Sequence, residues 1–142
     1  VDEETDDRMT DQQLFDEVIS LFQAGFETSA TMMTWLFYML HEHPDVYEKA
    51  AQEVNSVIGD RTPELGDLKQ LTYCKQAIQE TLRLRTVIPM LPRESIEPDT
   101  IGDYDIPADA MLLIFFSGLH QNPNVWENVQ ILFITRSKTV YW

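Results

Sequence analysis

Cysteine occurs once in these 142 residues, as Cys74, so no intramolecular disulfide forms and a stapled secreted scaffold is excluded. Glycine and proline are scarce, at 5 and 7, which excludes collagen-like and low-complexity chains. Basic residues are few as well. Ten Lys and Arg stand against 24 Asp and Glu, for a formal net charge of −14. A surface this acidic repels nucleic-acid phosphates and anionic lipid, so both are poor partners. The most apolar run, Met32 to Leu40, is too short to span a bilayer and holds Thr34. The opening Val1 to Asp7 is acidic and lacks an initiator Met or a basic leader, and reads as a chain that begins mid-protein.

What is present suffices for one folded core: 44% hydrophobic and 11% aromatic residues at single-domain length. Thr10-Asp11-Gln12-Gln13 is a capping-box pattern, with Met9 and Leu14 placed as a hydrophobic staple. Apolar residues then recur at helical spacing through Leu14, Val18, Leu21, Phe22, Met32, Met33, Leu36, Phe37 and Leu40, without a proline before Pro44. The spacing predicts one helix of roughly 45 Å at ~1.5 Å per residue. Pro44 suits the first turn of a second helix that Gly59 closes. A short helical segment around Asp67 to Leu71 and a third helix from Thr72 to Leu84 follow.

Beyond Leu84 the period changes. Pro89 and Pro92 break helix, and extended pieces are expected at Arg93–Ile96, Thr100–Ile101, Tyr104–Ile106 and Met111–Phe116, with Gly102-Asp103 as a hairpin turn. The expected fold class is therefore mainly α with a small antiparallel β region. The last fifteen residues, Asn128 to Trp142, hold no acidic residue and no helical period.

Two short motifs carry chemistry. In Ala24-Gly25-Phe26-Glu27-Thr28-Ser29, a Thr28 hydroxyl bonded to the carbonyl of Ala24 would loosen the helix locally. Gly25 there lets a flat group approach the backbone, and Glu27 sets an ionisable group beside the hydroxyl, as proton delivery needs. Taken alone, the motif is better read as a packing notch with a solvated glutamate. In Glu80-Thr81-Leu82-Arg83, carboxylate and guanidinium three apart share a helix face. Taken alone, that is an ordinary surface pair worth ~0–1 kcal/mol.

Together and in this order the motifs resemble the cytochrome P450 family: the oxygen-activating helix, then the Glu-x-x-Arg helix. Pro92-Arg93-Glu94, the Gly102-Asp103-Tyr104-Asp105-Ile106-Pro107 hairpin, and His120 through Asn122-Pro123 to Trp126 follow in register. The resemblance implies residues 1–127 to be a partial P450 domain and 128–142 an atypical tail, translated out of frame or past an exon edge. It implies a haem-thiolate monooxygenase that activates dioxygen and hydroxylates a small apolar organic substrate. Thr28 and Glu27 would be catalytic, handling protons at the oxygen. Ala24 and Gly25 would line the haem, Arg93 would hold a propionate, and Glu80 with Arg83 would be a buried structural pair. Phe26, Ala30 and Val87–Leu91 give the hint of an apolar pocket.

The implied cofactor is haem b, and the implied electron donor a ferredoxin or flavoprotein reductase. A cytoplasmic location is expected. The family's Phe-x-x-Gly-x-x-x-Cys-x-Gly loop is absent from these residues, and Cys74 lies upstream of Glu80, where a small buried hydrophobe is expected. Without an axial thiolate the separate chain should be inactive. Arg85-Thr86-Val87 replaces the family's aromatic-Pro-Pro turn, and Arg136 falls where a third partner of the Glu80–Arg83 pair would sit. No metal site of the chain's own is expected. His41 and His43, two apart, do not face one another and suit the positive end-cap of the long helix. The competing reading is a haem-free acidic helical interaction module or a pseudogene product.

Overall fold

The computed structural model describes residues 8–127, 129 and 132. Helix α1 runs Asp11–Glu42, α2 Pro44–Val57, α3 Thr72–Leu84 and the short α4 Phe116–His120, with a 3-10 turn at Leu65–Lys69. Four strands lie between α3 and α4: β1 Met90–Glu94, β2 Asp99–Ile101, β3 Tyr104–Ile106 and β4 Met111–Phe115. They form two antiparallel pairs, β1 with β4 and β2 with β3.

Each helix end follows from its sequence. Thr10 caps α1 by accepting from the Gln13 amide at 3.2 Å, while the Gln13 side chain accepts from the Thr10 amide at 2.8 Å. Two orphan donors are thereby satisfied at once. At the far end the His43 amide donates to the Met39 carbonyl at 3.0 Å, and Pro44 starts α2 where a missing N–H costs nothing. Gly59 takes φ +62° just past α2, the left-handed turn that ends a helix cheaply only with glycine.

Arg61 fastens that end. It donates to the Val57 carbonyl at 2.9 Å and grips both carboxylate oxygens of Asp67. The Arg61 bonds, helped by the Glu64 amide, hold the Asp67 carboxyl below the usual carboxylate range.

The first strand lies at Met90–Glu94, three residues earlier than the Arg93–Ile96 stretch expected. Pro92 is tolerated because β1 is an edge strand, opposite Leu113 of β4. The apolar run from Met111 also ends sooner than expected: Phe116 opens α4 rather than closing the strand. Gly102 takes φ +61° in the two-residue turn between Ile101 and Tyr104, as anticipated.

Burial is lopsided. Among the described residues only Met39, Val46 and Ala77 are buried apolar side chains, whereas Asp67, Glu80, Thr81, Arg83 and His120 are buried and polar. Val46 and Ala77 pack with Leu40, Tyr73 and Leu132 where α1, α2 and α3 meet. The first half of α1, by contrast, exposes Phe15, Phe22 and Phe26 at 61%, 70% and 66%. An apolar stripe of that kind marks a surface built to be covered. No helix among the described residues is long and apolar enough to cross a membrane.

Candidate functional site

The Thr28 hydroxyl donates to the carbonyl of Ala24 at 2.6 Å, the bond that the sequence suggested. Helix α1 nevertheless stays continuous from Asp11 to Glu42, so the bond does not break the helix there. A Cβ placed on Gly25 would meet no atom within 4 Å, so the backbone is bare on that side. Thr28 is half-buried and Glu27 exposed to solvent. A hydroxyl, a bare backbone and a carboxylate thus share one turn of α1.

Glu80 and Arg83 are not a surface pair. Their side chains are 8% and 3% exposed, and the contact is a two-point fork, Nε to Oε2 at 2.9 Å and Nη2 to Oε1 at 2.8 Å. Nη1 donates to the carbonyls of His120 at 2.9 Å and Val129 at 3.1 Å. The guanidinium also lies 5.2 Å from the Trp126 ring centroid, and the indole N–H donates to the Leu119 carbonyl at 3.1 Å. The pair therefore ties α3 to α4 and to the segment beyond it. Burial, and then the Arg83 cation, push the His120 imidazole below its ordinary range. Arg136 lies outside the described residues.

Arg93, on β1, is exposed, and its guanidinium folds back to donate to the neighbouring Pro92 carbonyl at 2.9 Å. The structure therefore brings Ala24, Gly25, Glu27 and Thr28 together and leaves Arg93 on a separate strand. Cys74 is half-buried rather than fully buried, because it sits in the first turn of α3 facing α2. Its thiol donates to the Ala50 carbonyl at 3.7 Å. Burial, and then Glu53, push that thiol up to about 11. It is therefore a neutral donor at neutral pH.

The sequence reading missed Glu53. It accepts from the backbone amides of Tyr73 and Cys74, each at 2.8 Å, and so caps α3 from a different helix. The signal was available: Leu71, ahead of α3, has no side-chain oxygen with which to cap it. Also missed was Arg85, whose guanidinium lies 5.1 Å from the Trp35 ring centroid and joins α3 to α1.

A cradle for a flat macrocycle needs a bare patch of backbone and, for a thiolate-held iron, an ionised cysteine. The bare backbone at Gly25 and the half-buried Thr28 suit one, while the neutral Cys74 thiol does not supply a thiolate ligand. No cluster of three or more His, Cys, Asp or Glu among the described residues could hold a metal ion.

A long helix with a threonine hydroxyl turned back onto its own backbone, followed by a helix with a buried Glu-x-x-Arg fork, is the helix pair that the two motifs called for. The family model for Cytochrome P450 matches residues 1–130. The chain is 40% identical over 124 residues to the protein LUTEIN DEFICIENT 5, chloroplastic, of Arabidopsis thaliana, covering 87% of this chain and 21% of that protein. It is 42% identical over 115 residues to cytochrome P450 71A1 of Persea americana, covering 80% and 23%. A zebrafish cytochrome P450 solved with progesterone superposes with a TM-score of 0.83 at 26% identity, over 90% of this chain and 31% of that one. The chain belongs to the cytochrome P450 family, and it spans about a fifth to a quarter of the length of the curated relatives it matches.

Proposed function

We propose that this chain is the oxygen-activating and core-helix portion of a monooxygenase that hydroxylates a small apolar organic substrate with haem b. The observation that carries the proposal is the Thr28–Ala24 bond of 2.6 Å beside the bare backbone of Gly25. Haem, when bound, supplies reductive activation of dioxygen and transfer of an oxygen atom. Ala24 and Gly25 give a flat group room against the helix. The Thr28 hydroxyl, already spending its proton on a carbonyl, keeps oxygen lone pairs free to accept from water and so holds a proton donor in place. Glu27, one residue away and in solvent, exchanges protons with bulk water and passes them to the water that the hydroxyl holds. Arg93, released from its neighbour's carbonyl, offers a planar fork to a propionate. Glu80 and Arg83 keep α3 in place and do no chemistry.

The chain alone is not catalytic on this reading, because its one cysteine is a neutral thiol committed to the α2–α3 contact. Electrons would come from a ferredoxin or a flavoprotein reductase.

Replacing the matching stretch of a complete family member with residues 10–127 tests the proposal. Thr28→Val in that chimera should keep haem bound and lower product formation by about 100-fold, the size of a lost proton-transfer group. Undiminished product formation would overturn the role of Thr28. Haem titrated into the 142-residue chain should give no reduced-CO band of the thiolate type, and such a band would overturn the inactive reading.

A further inference from the structure

We infer that Arg85 is a positioning residue for the Ala24–Thr28 turn, acting by clamping Trp35 of α1 to the end of α3. This inference rests on the reading of that turn given under "Proposed function". Along α1, residues 11–27 are exposed, and burial starts on one face: Thr28, Met32, Trp35, Leu36 and Met39. Thr28 and Trp35 are seven residues apart, close to two full turns, so they share that face about 10.5 Å apart along the axis.

The indole of Trp35 is held from two sides. The Tyr38 ring meets it edge-on at 5.8 Å and 85°, and the Arg85 guanidinium covers it at 5.1 Å. The Arg85 side chain is exposed, but its backbone is fixed, since its amide donates to the Thr81 carbonyl at 2.7 Å, two residues past the Glu80–Arg83 fork. The cation stands where the family resemblance calls for an aromatic turn residue. Its planar group lies on the indole as a compact ammonium does less well. Movement of α3 thereby reaches α1 two turns from Thr28.

Amide hydrogen exchange on the 142-residue chain tests the clamp, comparing residues 24–33 with residues 46–57 of α2. Arg85→Met and Trp35→Leu should each speed exchange in 24–33 by about two- to fivefold, the range for a partly exposed cation–π contact, and leave 46–57 unchanged. Arg85→Lys and Trp35→Phe keep a cation and a ring, and should stay within about twofold of the parent chain. Combining Arg85→Met with Trp35→Leu should add nothing to Trp35→Leu alone, which already removes the Arg85 contact. Unchanged exchange with Arg85→Met, equal loss with Arg85→Lys, or a rise in both segments together would each overturn the clamp. Exchange reads the clamp whether or not Thr28 handles protons, so failure of the Thr28→Val test leaves this result standing.

Discussion

Glu53 and Tyr73, twenty positions apart, are joined by a bond from the Tyr73 amide to the Glu53 carboxylate at 2.8 Å, and the Cys74 amide adds a second. A carboxylate at a helix N-terminus satisfies orphan donors and meets the positive end of the helix dipole. Burial pushes the Glu53 carboxyl up, but the bonds from Tyr73 and Cys74 outweigh it and hold the group below its ordinary value.

Glu53→Ala should therefore destabilise the chain by about 1 kcal/mol, the usual loss for a cap, read as a lower urea midpoint at pH 7. The pH dependence has a definite sign. The folded carboxylate takes up protons less readily than the unfolded one, so its contribution is complete above the ordinary value of 4.5 and drains away as pH falls through the lower folded value. Glu53→Gln should flatten part of that acid limb. An unchanged limb would show that other carboxylates carry it.

Truncating one side of the buried fork exposes the other side's unpaired charge. Glu80→Ala or Arg83→Ala should each cost about 3–5 kcal/mol, enough to erase the far-UV helical signal of a small chain. Replacing both at once, Glu80→Leu with Arg83→Met, should cost less than the two truncations summed. Circular dichroism against urea reads all three.

Two glycines should respond with opposite sign. Gly25 sits mid-helix with open space around it, so Gly25→Ala should raise thermal stability by about 0.5–1 kcal/mol. Gly59 has φ +62°, and Gly59→Ala should lower stability by about 1 kcal/mol through backbone strain, the nearest atom being an ordinary 3.6 Å away. A stabilising Gly25→Ala means that the native residue serves something other than stability.

Cys74 should resist alkylation. Raising its thiol from 9.0 to about 11 leaves about a hundredfold less thiolate at pH 8. Iodoacetamide labelling should speed up by about that factor when the chain is unfolded in urea. Equal rates in folded and unfolded chain would remove the neutral-thiol assignment.

Local signals were the legible ones. Thr10 with Gln13, Pro44, Gly59 and Gly102 each act within a few residues, and each stands where the sequence put it. The Thr28–Ala24 bond was likewise readable, because it closes over four positions. The Glu-x-x-Arg pair was legible as a pair but not, from spacing alone, as a buried one. Its burial depends on carbonyls from His120 and Val129, 37 and 46 positions away. Glu53 capping α3 and Arg85 covering Trp35 are also long-range, and no period or dipeptide announces them. The strand at Met90 was displaced because Pro92 reads as a breaker, although an edge strand opposite Leu113 accepts it.

The uneven burial of α1 makes the helix a lever. With Trp35, covered by Arg85, as fulcrum, Thr28 lies about 10.5 Å out along the axis at ~1.5 Å per residue. A tilt of about 5° then swings its hydroxyl by about 1 Å, a misplacement that can cost a reaction about 100-fold. Small angular play at the α1–α3 contact is thereby magnified into the reach of a hydrogen bond, so whatever covers Phe15, Phe22 and Phe26 also acts as a brake on that swing.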